Sequence, residues 1–311
     1  MLIQEMHSGD RVEGYYLLQG AAARTTAAGK PFLTMTLADR SGTITAQVWD
    51  YSGPISPKDA GSVVYIAGIA SEYRGAPQLT VQRLRLADGT DEYAVSDLVA
   101  TAPIDRGEAW QYLLDVMESM ADGDYQAVCQ EMLRRYGEYV RRIPAAKSVH
   151  HSFVGGLLMH TANMVKGACF YADLYPDTLD RSLLIAGTLL HDFCKCEEFV
   201  TSPLGLVTDY SVKGQLLGHL VMGAEAVDQI AGLLQIPEEK SVLLQHMILS
   251  HHGEPEFGAA VRPMCAESEL LSYLDMIDSR MEIYAETMAR TPAGEFSGRV
   301  FALEKRIYHH N

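Results

Sequence analysis

The chain has 311 residues, of which 48% are hydrophobic and 21% charged, with a formal net charge of -15. That length accommodates two domains with ample core, and the acidic balance argues against a protein that coats nucleic acid through bulk electrostatics. No apolar run approaches the roughly 18 residues a membrane span needs, and Met1-Leu2-Ile3-Gln4-Glu5 lacks the basic-then-apolar order of a secretory signal, so no membrane partner is expected. The cysteines at 129, 169, 194, 196 and 265 are odd in number and irregularly spaced, which fits reduced thiols in a cytoplasmic protein. Residues 1–90 carry eight Lys/Arg and eight Asp/Glu, so all the excess acid lies in 91–311.

Residues 10 to about 87 read as β. Val12 to Leu18 starts a strand, and Pro31 to Leu37 alternates apolar and small polar residues. Asp39-Arg40-Ser41-Gly42 is a turn. Thr43 to Trp49, Ser62 to Ala70 and Gln78 to Leu86 complete five short strands, the pattern of a small barrel. The Asp-Arg-Ser-Gly turn, Trp49-Asp50, Gly68 and Tyr73-Arg74-Gly75 before Gln78-Leu79 resemble an OB-fold of the nucleic-acid-binding type. Such barrels stack bases on aromatics and track the backbone with cations. Trp49, Tyr73 and Arg74 are the substrate contacts expected, with Phe32, Tyr51, Lys30 and Arg40 as further candidates. The competing reading places Phe32 and Trp49 in the barrel core, and for any single aromatic it carries the greater weight.

Residues 91–108 are rich in turn formers and acids and read as a linker. From 109 to 311 the pattern is mainly helical. Helices are expected from Glu108 to Met120, from Tyr125 to Arg142, up to about Leu174 after Gly155-Gly156, from Arg181 to Asp192, from Gly214 to Leu234, from Lys240 to Ser250 and from Glu267 to Ala289. A hairpin is expected over 200–210, and a β-like tail over 299–307. The fold class expected is thus two domains, a small all-β OB-fold barrel followed by a mainly α-helical domain.

Chemistry concentrates in the second part. His160, His191-Asp192, His219, His251-His252 and Asp275 each sit in or beside an apolar helix. Burying these polar residues without a shared purpose is costly. His and carboxylate together suit Mn²⁺, Fe²⁺ or Zn²⁺ better than an all-oxygen set would. The donor set alone leaves Mn²⁺, Fe²⁺ and Zn²⁺ open, with Mg²⁺ as a further alternative. One workable division puts His160, His191, Asp192 and Asp275 on one ion, and Asp192, His219, His251 and, as an open choice, His252 on the other. Asp192 then bridges, and the two ions share a hydroxide that attacks phosphorus. Lys195 lies where an ammonium meets a non-bridging phosphate oxygen. Asp192 and Lys195 are the catalytic candidates. Asp278 and Arg280 either orient Asp275 or form a surface ion pair. His246 reads as a core histidine, His7, His309 and His310 as surface residues, and Cys194 and Cys196 as two buried thiols.

The order His…His-Asp…His…His-His…Asp resembles the HD-domain superfamily of metal-dependent phosphohydrolases. With the barrel in front, the segments His150-His151, Gly155-Gly156-Leu157-Leu158-x-His160-Thr161, His191-Asp192-x-x-Lys195, Leu216-Leu217-Gly218-His219, His251-His252-Gly253 and Leu274-Asp275-x-x-Asp278 are similar to the YhaM-type 3′→5′ exoribonucleases over nearly the whole chain. This chain has Met159 where that family typically has Glu, at a position not expected to ligate. The resemblance implies divalent metal, often Mn²⁺, and release of nucleoside 5′-monophosphates from the 3′ end of single-stranded RNA, with single-stranded DNA as a further partner. It also gives His150 and His151 a role near the substrate phosphates or behind the metal ligands. The rival functions are hydrolysis of a small nucleotide (a nucleoside triphosphate, alarmone or cyclic dinucleotide) and a binding module with a decayed site. Homo-oligomerisation is left open.

Overall fold

The computed structural model describes the whole chain except residues 74–75, 148–150 and 203, so Arg74 and His150 lie outside the described residues. The chain divides into two compact units, Met1–Thr101 with Ser202–Gly205, and Ala102–Thr201 with Leu206–Asn311.

The first unit is a closed five-stranded barrel of β1 (Arg11–Thr25), β2 (Pro31–Asp39), β3 (Gly42–Trp49), β4 (Val63–Tyr73) and β5 (Ala76–Leu86), in the order β1-β2-β3-β5-β4. Among the described residues of the barrel only the β3–β5 pair is parallel. That order is the OB-fold topology. Strand β1 closes the barrel because it is long enough to pair twice. Residues 11–17 pair with β4, residues 17–25 with β2, and the register shifts between Leu18 and Gly20 where the strand turns the corner. Leu18, Leu33, Met35, Leu37, Ile66 and Leu79 fill the interior. Asp39 locks the β2–β3 turn by accepting from Ser41 N–H and Gly42 N–H, while its other oxygen accepts from Ile3 N–H at 2.6 Å. The stretch read as linker carries structure of its own. It includes α1 (Val95–Leu98), and Asp91 accepts from Tyr15 O–H and pairs with Arg85 at 2.5 Å.

The second unit contains α2 (Arg106–Glu118), α3 (Gly123–Val140), α4 (Gly156–Leu174), α5 (Arg181–Leu190), the single turn α6 (Lys195–Glu198), the hairpin β6 (Phe199–Thr201) and β7 (Val207–Tyr210), α7 (Val212–Leu234), α8 (Glu238–Ser250), α9 (Ala266–Ala289) and a second hairpin, β8 (Phe296–Val300) and β9 (Lys305–Tyr308). Asp105, Asp122, Asp180 and Ser211 start α2, α3, α5 and α7 by accepting backbone N–H groups of the first turn. Helix α5 is buried along its length, from Ser182 to Leu190, because its sequence is apolar on every face. Among the described residues no helix is long and apolar enough to cross a membrane.

Two glycines shape the region that matters. Gly156 opens α4 where the His151 backbone crosses, and a Cβ there would run into the His151 carbonyl oxygen. Gly218 breaks α7 with φ 72° and ψ 162°, a conformation essentially confined to glycine. The break re-aims the helix immediately before His219. Space for a methyl group exists beside it, the nearest atom being Glu198 Oε1 at 3.8 Å, so the constraint lies in the backbone. Gly218→Ala should therefore cost about 1–3 kcal/mol and weaken metal binding through His219. Urea unfolding and metal titration check this, and an unchanged midpoint would contradict it.

Candidate metal centre

The apolar helices deliver their polar residues to one place. His160 comes from inside α4 and Asp275 from inside α9. His191 and His251 cap the C-termini of α5 and α8, Asp192 and His252 follow them, and His219 follows the break in α7. The C-terminal ends of α5 and α8 carry partial negative charge, which favours a cation nearby. His160, His191, Asp192, His219 and His251 are all buried.

Among the described residues the candidate ligand atoms fall into overlapping groups, each within 4.8 Å. His160, His191 and Asp275 make one, His219, His251 and His252 another, and His191, Asp192 and His251 a third that joins them, while His160 also groups with His151 and Asp278. Asp192 lies between the first two. Its Oδ2 is 3.3 Å from His191 Nε2 and 3.8 Å from His160 Nε2. Its Oδ1 is 3.2 Å from His219 Nε2 and 3.7 Å from His251 Nε2. Each carboxylate oxygen thus faces one cluster.

The far nitrogen of most of these rings is held from behind. His191 Nδ1–H donates to Thr188 O and His251 Nδ1–H to Ile248 O, each at 2.8 Å, the same cap geometry used twice. His219 Nδ1 meets Glu198 at 3.1 Å, and His160 Nδ1 meets Asp278 Oδ2 at 2.7 Å. With Nδ1 occupied, Nε2 is left to face the centre, the arrangement that fixes the tautomer of a metal-ligating histidine.

A cation fits this set on three observations. Asp192 Oδ1 and His219 Nε2, 3.2 Å apart, are buried and make no hydrogen bond among the described residues, which costs about 1–3 kcal/mol for each such atom. His160 Nε2 and His191 Nε2 point at each other at 3.2 Å, and two lone pairs so placed need a proton or a cation between them. The donors are imidazole and carboxylate, a set suited to Mn²⁺, Fe²⁺ or Zn²⁺.

Electrostatics agree. Burial pushes the Asp192 carboxyl up, but Lys195 and His191 outweigh it and hold it well below the usual carboxylate range. Burial, with the nearby His191 and His252, drives His251 well below its ordinary value, so it is neutral and able to ligate. Burial opposes charge on His160, yet hydrogen bonds to Asp275 and Asp278 raise it to about 9. Without metal His160 is therefore protonated at neutral pH, and a metal on Nε2 must displace that proton. Metal affinity should rise with pH and level off above about 9. Calorimetry in buffers of different protonation enthalpy should count about one proton released at pH 7; zero would contradict the assignment of His160.

The other residues singled out in the sequence fare differently. His151 is fully buried, with Nε2 2.7 Å from Asp278 Oδ2, which favours its role behind the metal ligands over one at the substrate phosphates. Asp278 neither orients Asp275 nor pairs with Arg280, because its oxygens are taken by His151, His160 and Asn163. Lys195 Nζ rests 2.6 Å from Asp192 Oδ2. Burial lifts the Cys194 and Cys196 thiols to about 12, and neither joins the His/Asp groups of the centre among the described residues. His246 accepts from Met264 N–H at 2.9 Å, away from the centre. In the barrel, Phe32 and Trp49 are not core. Trp49 is 50% exposed, and the two rings pack at 5.0 Å on the outer surface. Tyr73 is 60% exposed. Tyr51 packs against the barrel core, and its hydroxyl accepts from Ile55 N–H. Lys30 and Arg40 lie near Asp50 and Asp97 at 3.5 and 3.7 Å.

An OB barrel joined to a helical unit with this His-Asp centre defines an HD-domain hydrolase that carries a nucleic-acid-binding fold. The HD-domain model matches residues 157–280, which take in every candidate ligand from His160 to Asp275. A TraI_2 model, described as a helicase family, matches residues 109–175, a stretch without a Gly-x-x-x-x-Gly-Lys loop. A protein of Bacillus velezensis named 3'-5' exoribonuclease YhaM is 36% identical over 306 residues, covering 97% of this chain and 95% of the relative. Its namesake in Bacillus subtilis (strain 168) is 36% identical over 302 residues, with the same coverage. The chain belongs to this YhaM family. The second OB-fold domain of replication protein A from Methanococcus maripaludis covers 30% of this chain and 98% of its own at 12% identity and a TM-score of 0.24. That likeness is slight, and the barrel assignment rests on strand order.

Proposed function

We propose that the chain is a divalent-metal-dependent 3′→5′ exoribonuclease that shortens single-stranded RNA, and single-stranded DNA as a further substrate, to nucleoside 5′-monophosphates. The observation that carries this reading is Asp192, with one oxygen toward each histidine cluster, in a chain whose relatives carry the exoribonuclease name. His160, His191, Asp275 and Asp192 would hold one ion, and His219, His251, His252 and Asp192 the other. Bound divalent ions supply Lewis acidity to phosphoryl oxygens and acidify the attacking water. Burial, followed by the neighbouring His219, keeps His252 below its ordinary value and so neutral. Lys195 keeps its charge against burial because Asp192 faces it. One of its three N–H donors is spent on Asp192, and the others are available to a non-bridging phosphate oxygen.

The barrel would bind the strand through Trp49 and Tyr73. On stacking energies of about 1–3 kcal/mol per base, Trp49→Ala should raise KM for single-stranded RNA about tenfold while kcat changes little. An unchanged KM would remove Trp49 from the interface. The reading as a whole is tested with RNA labelled at its 5′ end and incubated with Mn²⁺. Stepwise shortening from the 3′ end with release of 5′-monophosphates is expected. Internal cleavage without 3′ shortening, or hydrolysis confined to small nucleotides, would overturn it.

A further inference from the structure

Beside the metal centre lies a cleft of about 420 Å³, between the loop following α8 and helix α9, with His252 and Asp275 in its wall. Its size falls in the range of small-ligand sites. The rest of the lining has a definite chemistry. Phe257 is 74% exposed, Tyr273 47% and Met276 43%. Three large apolar side chains left in water around one cleft mark a binding surface. Tyr273 O–H donates to Glu269 Oε1 at 2.6 Å, which steadies its ring. Arg280 is the lining cation. Because Asp278 is committed to His151, His160 and Asn163, Arg280 keeps its guanidinium free of ion pairs and hydrogen bonds among the described residues. At the rim, Glu254 is neutralised by Arg262 at 2.8 Å.

We propose that this cleft receives the 3′-terminal nucleotide of the strand, with its base against Phe257 and Tyr273 and Arg280 on the phosphate that faces the His252–Asp275 wall. The assignment rests on the nuclease reading above. Aromatic faces accept every base, so the pocket would grip the terminal nucleotide with little sequence preference. A guanidinium can meet two phosphate oxygens in parallel, which an ammonium cannot do.

The test compares AMP with ribose 5-phosphate, which has the same phosphate and no base, on the Mn²⁺-loaded full chain. AMP should bind about tenfold more tightly, and Phe257→Ala should close that gap. Arg280→Ala should weaken both ligands, and each variant should raise KM for single-stranded RNA about tenfold with unchanged manganese content. Both side chains are exposed, so neither change threatens the core. Unaltered AMP affinity and RNA KM in both variants would overturn the pocket. The two readings fail separately. Wild-type protein that binds AMP through Phe257 but does not shorten RNA would keep the pocket and refute the exonuclease. Wild-type protein that shortens RNA, with unaltered KM in both variants, would do the reverse.

Discussion

Asp192→Asn should reduce exonucleolytic turnover by more than about a hundredfold, beyond the 10–100-fold typical when a group behind a metal ligand is lost. The reason is geometric. Each Asp192 oxygen faces a different histidine cluster, so in the proposed division one substitution would remove a shared anionic ligand from both sides of the centre. Asparagine preserves shape but not charge, and it offers an N–H where a cation needs a lone pair. Lys195 loses its carboxylate partner in the same step, which costs stability as well. Activity must therefore be normalised to folded protein by far-UV circular dichroism, with bound manganese measured in parallel. Turnover near the wild-type rate would remove Asp192 from the mechanism.

Asp278→Asn should weaken manganese affinity and turnover about 10–100-fold, although Asp278 touches neither ion in the proposed division. Its carboxylate receives His160 Nδ1 and His151 Nε2, both at 2.7 Å, and Asn163 Nδ2 at 3.0 Å. It therefore sets the direction of His160 and its charge together. A purely structural role would lower stability without changing proton linkage. A positioning role predicts more. Asp278 is one of the groups that hold His160 up to about 9, so its neutralisation should lower that value, and fewer protons should be released on metal binding at pH 8. Titration calorimetry measures both quantities. Wild-type affinity with wild-type proton release would show that the hydrogen bond is incidental.

Much of this centre can be read in the sequence because polar residues inside apolar helices are costly unless they share a task. His160, His191, Asp192, His219, His251, His252 and Asp275 stand out for that reason, and the structure gathers them. The groups behind them do not stand out. Glu198 supports His219 from 21 positions away, at the end of a single turn, and no periodicity connects the two. The carbonyls of Thr188 and Ile248 are backbone atoms, to which side-chain patterns are blind. Asp278 could be placed on α9 but not aimed, since its partners lie on α4 and in the loop before it. The barrel shows a different limit. The alternation that buries Leu33 and Met35 already puts Phe32 on the opposite face, and the same holds for Val48 and Trp49. Hydrophobicity argued for the core while period two argued for the surface, and the strand geometry prevailed.

The most direct test of the two-ion centre is anomalous diffraction from manganese-loaded crystals. Two peaks should flank Asp192, roughly 3.5–4 Å apart, one against His160, His191 and Asp275 and the other against His219, His251 and His252. A single peak, or no peak at all, would contradict the account.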